Sequence, residues 1–218
     1  METLHADLIP YVVNGIVHHP LVVTPLATDA SSINQTYRNK LDQVKKAEDV
    51  GDWTRYIFLY ERFYRLDALL SATQKGLEKK PSEFWALVSD VWQDSENIRQ
   101  NLSRWKRVWR KKVENRQACM SKEDLCVFDR LPEQIEIWRG TSHKRYVDGI
   151  SWTLEREKAI RFARRFSSKP RVPLVARGIV KKGDVLAYFG GRNEREIVSM
   201  QVERISVTKI DHLSSDSR

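Results

Sequence analysis

The sequence predicts an α+β protein, with a mainly helical region over residues 1–130 and a region of short strands over residues 131–218. Three observations carry this reading. Through most of the first 130 positions apolar residues recur at intervals of three and four, the period of a helix buried along one side. Beyond Pro132 that period gives way to short β-branched and aromatic runs separated by turns. Finally, 218 residues with 41% hydrophobic and 10% aromatic content can bury the core of one large domain or two small ones. The tail at Ser214–Arg218 is polar.

Residues 8–25 are β-branched and punctuated by Pro10, Gly15, Pro20 and Pro25, which predicts short extended pieces. His18 and His19 are adjacent, so on a strand they point to opposite faces and at most one joins a given cluster. Asp29 opens a helix that runs from about residue 32 to residue 48 and stops before Gly51. Asp52 caps the next, Trp53 to about Ala72, whose Tyr56, Leu59, Tyr60, Phe63, Leu66 and Leu70 form an aromatic core stripe. Gly76 and Pro81 break the chain, and Phe84, Leu87, Val88 and Val91 line a third helix. A fourth is expected over residues 97–116, with Ile98, Leu102, Trp105, Val108 or Trp109 buried and Arg104, Lys106, Arg107, Arg110 and Lys111 around them. A short capped helix over residues 121–132 ends at Pro132, the expected domain boundary.

Charge is uneven. Residues 1–98 hold 10 Lys and Arg against 14 Asp and Glu, residues 99–116 hold 8 against 1, and residues 131–218 hold 18 against 11. The formal net charge of +9 therefore comes from one basic segment and a basic C-terminal half. Such asymmetry suits a polyanionic partner, and basic residues beside Trp suit phosphate contact and base stacking. RNA or DNA, held by the basic helix, is thus an expected partner. Cys119 and Cys126 stand apart with no His at ligand spacing, so neither a zinc site nor a disulfide framework is indicated and no metal is expected. Glu2 and Asp7 occupy positions where a secretory signal carries positive charge, and no apolar run is long enough to span a bilayer. The expectation is a cytoplasmic chain with no membrane partner.

In the second half, a strand over Ile135–Trp138 delivers Arg139 just before Gly140, where backbone can approach a ligand closely. Arginine offers a fork of donors suited to phosphate or carboxamide groups. After a loop at 141–148, Gly149–Thr153 reads as a strand with Ser151 and Thr153 on one face and Trp152 on the other. Thr153 caps a helix over Leu154–Phe166 with Ala159, Phe162, Ala163 and Phe166 inward. Val172–Val180 and Val185–Phe189 are further strands, Gly190–Asn193 is a loop, and Glu194 and Glu196 share a face of a closing strand that continues through Ile197 and Val198. Polar residues on half-buried strands are costly unless they meet one another or a ligand, so these sets are the candidate site.

In this order the pieces resemble the mono-ADP-ribosyltransferases of the cholera-toxin-like, Arg-Ser-Glu class. The matching elements are Trp138-Arg139-Gly140, Ser151-Trp152-Thr153 leading into Ala159 and Phe162-Ala163, the Lys-Gly-Asp turn within Lys181–Val185, and Glu194-Arg195-Glu196-Ile197-Val198. They cover about residues 133–211. The family's usual aromatic-Ser-Thr-Ser becomes Ile150-Ser151-Trp152-Thr153, keeping the first hydroxyl and placing Thr last. The resemblance implies a split β-sandwich domain that binds NAD as co-substrate, without a dinucleotide-binding Gly-x-Gly-x-x-Gly loop.

The resemblance further implies roles. Glu196 would grip the ribose and stabilise the positive charge left as nicotinamide departs, and Glu194 would position or deprotonate the acceptor. Arg139, Gly140, Ser151, Trp152 and Thr153 would bind NAD, and Phe189, Arg192 and Asn193 would meet the acceptor. The acceptor would be protein arginine or a nucleic acid. By analogy the chain would be an intracellular toxin or phage-conflict effector, with an inhibitory antitoxin protein as a further partner. The alternatives are a nucleic-acid-binding module on an inactive transferase fold, and an NAD glycohydrolase.

Overall fold

The computed structural model describes residues 2–96, 98–165, 172–191 and 194–210, and its helices and two antiparallel sheets make the chain α+β. The chain divides into two compact units: residues 1–96 with 113–115, and residues 97–112 with 116–218. Among the described residues no helix is long and apolar enough to cross a membrane.

The first unit opens with a 3-10 helix (Ala6–Tyr11), where extended chain was expected from residue 8, and continues into a three-stranded sheet of β1 (Val12–Val13), β2 (Ile16–His19) and β3 (Val22–Pro25). Asn14 and Gly15, at φ 49° and 76°, make the left-handed two-residue turn that matches the twist of a hairpin. Helix α1 (Ala30–Val50) begins where the Asp29 carboxylate accepts the Ser32 amide and stops at Gly51, left-handed at φ 68°. The long aromatic helix expected from Trp53 is in fact two, α2 (Trp53–Phe58) and α3 (Arg65–Gln74). No Gly or Pro breaks it. Instead Glu61 is extended and donates its amide to the Pro20 carbonyl at 2.8 Å, while Arg65 Nε donates to the Tyr60 carbonyl at 3.2 Å. Tertiary hydrogen bonds thus override local propensity, and Phe63, read as core, is 74% exposed. Helix α4 (Pro81–Asp94) starts with Pro at its first turn and buries Phe84, Trp85, Leu87, Val88, Val91 and Trp92.

The second unit starts earlier than Pro132. A 3-10 turn at Ile98–Asn101 leads into α5 (Leu102–Trp109), which ends seven residues short of the expected helix. Residues 113–115 fold with the first unit, where Trp85 Nε1 donates to the Val113 carbonyl at 3.1 Å and Asn115 Nδ2 donates to Ser82 at 2.8 Å. Trp109 and Phe189 lie 6.5 Å apart between ring centres, and Met120, Phe128 and Leu131 around α6 (Lys122–Asp129) pack on the sheet core. These apolar contacts are why the segment from 97 onward belongs with the strands.

The large sheet has the order β7-β8-β5-β4-β6-β9, all antiparallel: β4 (Gln134–Thr141), β5 (Ser151–Thr153), β6 (Leu174–Lys181), β7 (Val185–Phe189), β8 (Glu196–Ser199) and β9 (Glu203–Lys209). Strand β9 has no counterpart in the sequence-based expectation. One face carries Ile135, Ile137, Trp152, Ala176, Tyr188 and Ile197 in a continuous core. On the other, α7 (Arg156–Arg165) lays Ala159, Ile160 and Ala163 against Val175 and Trp138. The β4–β6 ladder runs for eight residue pairs, but β4 and β5 share one, Trp138 opposite Thr153. The sheet is therefore two three-stranded halves joined at a single point.

Candidate functional site

At that join the strands part, and the backbone groups facing the gap need partners. Arg139 supplies them. Its Nε donates to the Tyr146 carbonyl at 3.1 Å, and its Nη1 donates to the Ser151 carbonyl on β5. The fit depends on Gly149, because a Cβ there would lie 2.2 Å from the Arg139 Cζ. The connecting loop is held from other directions as well: Trp152 Nε1 donates to the Gly149 carbonyl at 3.0 Å, and Arg204 pairs with Asp148 at 2.5 Å.

The β5–β8 register sets Thr153 opposite Glu196, so Ser151 is the diagonal neighbour of Glu196 on the same face. Its hydroxyl donates to Glu196 Oε1 at 2.5 Å. Both residues are half-buried. A hydroxyl donated to the carboxylate fixes its orientation. Burial, and then repulsion from Arg99, pull the Arg139 guanidinium down to about 10, while Glu196 and Asp148 oppose the shift. Arg139 is still cationic at neutral pH. A guanidinium, a hydroxyl and a carboxylate from three strands thus form one connected cluster.

Other expected site residues stand elsewhere. Gly140 has a packing reason to be small: a Cβ would lie 1.8 Å from the Ala159 carbonyl oxygen of α7. Trp152 lies in the core on the opposite face, 4% exposed. Phe189, opposite Glu196 on the β7 side, is 2% exposed and neighbours Trp109, so it is packing rather than acceptor surface. Thr153 is also buried; it accepts the Glu155 amide at 3.1 Å ahead of α7 and donates to the Glu194 carbonyl at 2.7 Å. Glu194 does not share a strand face with Glu196, because Arg195 is left-handed at φ 46° and β8 begins only at Glu196. That kink follows from two bonds, Thr153 to the Glu194 carbonyl and the Leu154 amide to the Arg195 carbonyl at 3.1 Å. Arg192, Asn193 and Phe166 lie outside the described residues. In α5, Trp105 and Trp109 are 1% and 0% exposed and so unavailable for stacking on bases; Arg107 and Arg110 are exposed, while Arg104, Lys106 and Lys111 are half-buried.

Sequence reasoning passed over the loop between β4 and β5. Tyr146 there lies under two guanidinium groups, Arg99 and Arg145, each 4.6 Å from the ring centre. Its basic-aromatic run, His143-Lys144-Arg145-Tyr146, was the available signal.

No family model matches the chain, and neither does any curated protein or solved structure. The functional reading therefore rests on the residues themselves.

Proposed function

We propose that the chain is an NAD-dependent mono-ADP-ribosyltransferase that breaks the bond between ribose and nicotinamide and passes ADP-ribose to a macromolecular acceptor. The single observation that carries this is the 2.5 Å hydrogen bond from Ser151 to Glu196, beside Arg139 at the point where the sheet splits. Breaking a glycosidic bond to nicotinamide leaves positive charge on the sugar. A carboxylate held by a fixed hydroxyl in a half-buried site is suited to meet that charge as it develops, with little reorganisation. The split between the two half-sheets supports the expected split-sandwich architecture, and the ordered Arg139, Ser151 and Glu196 support the resemblance.

In this reading Glu196 grips the ribose, Ser151 orients Glu196, and Arg139 does two things. It spends two N–H groups on the Tyr146 and Ser151 carbonyls, tying the loop and β5 to β4, and its charge favours a phosphate-bearing ligand close by. Glu194, on the kinked backbone before β8, is the candidate for positioning the acceptor.

Purified protein incubated with NAD, with nicotinamide release measured, tests the proposal. Glu196→Gln is expected to lower release by about 10²–10³-fold, the scale of losing one preorganised electrostatic contact. Glu194→Gln is expected to keep NAD hydrolysis and lose transfer. Wild-type protein that leaves NAD intact overturns the proposal, and equal loss of hydrolysis in both variants overturns the division of labour between the two carboxylates. Hydrolysis with no acceptor labelled in any pool would identify a glycohydrolase.

A further inference from the structure

We infer that the acceptor is a polynucleotide, docked on the cationic loop between β4 and β5 together with Arg99. This rests on the transferase reading and names its acceptor class, which the hydrogen bonds of the site leave open.

Charge is the first observation. The two compact units differ sharply: residues 97–112 and 116–218 hold 28 Lys and Arg against 14 Asp and Glu, a formal +14, whereas the first unit holds 10 against 15, a formal −5. The whole positive excess belongs to the unit that carries Ser151 and Glu196. Position is the second. His143, Lys144 and Arg145 are exposed on the loop, and Arg99 and Arg145 both stack on Tyr146. The carbonyl of the same Tyr146 accepts from Arg139, which donates in turn to Ser151, whose hydroxyl holds Glu196. The basic loop is thus continuous, residue to residue, with the candidate catalytic carboxylate. Asp148, three residues beyond Arg145, is engaged by Arg204 at 2.5 Å.

Like charges gathered on one ring are unfavourable by themselves and become favourable once an anion lies across them. Arg99 is close enough to Arg139 to lower its proton affinity, as expected for neighbouring cations. A phosphodiester backbone gains from this arrangement by releasing its counterions, and guanidinium groups stacked on an aromatic ring offer flat surfaces to bases. A protein arginine gains neither, since its own guanidinium meets Lys144, Arg145, Arg99 and Arg139. In the transfer, the acceptor nitrogen or oxygen supplies the electron pair for the new bond to the ribose C1′. Nicotinamide leaves with the electrons of the old bond, and the acceptor proton passes to Glu194 or solvent.

The test has two arms with the full-length chain. In the first, fluorescent single-stranded RNA and DNA oligonucleotides are titrated without NAD between about 50 and 200 mM salt. Affinity is expected to fall steeply with salt, and the Lys144→Ala, Arg145→Ala double variant is expected to bind about tenfold more weakly with a salt dependence shallower by roughly one to two contacts. In the second, labelled NAD is supplied with cell RNA, cell DNA and nuclease-treated cell protein. Label that nuclease removes supports the inference; label that protease removes and nuclease does not overturns it. Oligonucleotide binding unchanged in the double variant also overturns it, as does NAD hydrolysis with every nucleic acid pool unlabelled. Salt-sensitive binding lost in the variant, with NAD left intact, would defeat the transferase reading alone and leave the loop as a polynucleotide-binding surface.

Discussion

Two polar clusters, one in each unit, differ in burial and in what they do: the first is buried, the second half-buried. Asn34 on α1 is 1% exposed; it accepts the His5 amide at 2.7 Å and donates to the Thr3 carbonyl at 2.8 Å and to Glu2 at 2.9 Å. It fastens the N-terminal segment to a helix, and two of its three partners are backbone groups that burial would otherwise leave unsatisfied. In the second unit, Ser151 gives its hydroxyl to a carboxylate, and the cation beside them comes from a different strand. The contrast teaches that burial alone does not mark a site. A polar side chain that satisfies backbone is explained by the fold, whereas one that aims a second side chain asks for a ligand.

Reciprocal substitutions sharpen that contrast. Ser151→Ala is expected to cut nicotinamide release by about 10²-fold, because Glu196 loses the donor that holds it, with little change in melting temperature. Asn34→Ala is expected to leave the reaction rate alone and cost about 1–3 kcal/mol of stability, since it strands buried backbone groups. At roughly 2–4 °C per kcal/mol for a chain of this size, thermal melts resolve that loss. Should Asn34→Ala abolish activity while Ser151→Ala only lowers stability, the comparison is inverted and the site assignment falls.

A pair of glycines tests the next largest effect. Gly140→Ala drives a Cβ into the backbone of α7 and is expected to destabilise by about 1–3 kcal/mol without a specific change in KM for NAD. Gly183→Ala, with nothing within 4 Å of the added carbon, is expected to stay within about 0.5 kcal/mol of wild type by denaturant titration. A raised KM in a fully stable Gly140→Ala protein would return that glycine to the ligand site. The smallest effect concerns the thiols. Burial pushes the Cys119 thiol up to about 12, so at pH 8 its reactive thiolate is scarce, while Cys126 is exposed. A thiol reagent at that pH is expected to modify one cysteine in the native protein and both in denaturant; two fast reactions in the native state would contradict this packing.

Much of the architecture was legible in local pattern. The caps at Asp29 and Asp52, the stop at Gly51 and the alternation on β5 all stand where short-range chemistry puts them, while Pro81, read as a break, is the first residue of α4. The Asn14-Gly15 hairpin was equally readable and went unread. The break at Glu61 was not, because its cause is the Pro20 carbonyl, 41 positions earlier in the chain. The same holds for Gly140, Trp152 and Phe189: the first two sit beside site residues in sequence and Phe189 stands opposite Glu196, and only the contacts of α7, the core face and Trp109 separate packing from chemistry.

By itself, then, the amino-acid order determined which residues could do chemistry: period-two alternation put Ser151 and Thr153 on one face and Trp152 on the other, whatever the remainder of the chain did. Tertiary structure decided which of them meet. Register between strands 45 residues apart set Ser151 beside Glu196, a left-handed Arg195 took Glu194 off that face, and a sheet joined through a single residue pair opened the gap that Arg139 fills. Side-chain direction is a property of each local stretch of backbone, but partnership across a sheet depends on hydrogen-bond register, and no short window of sequence contains both partners.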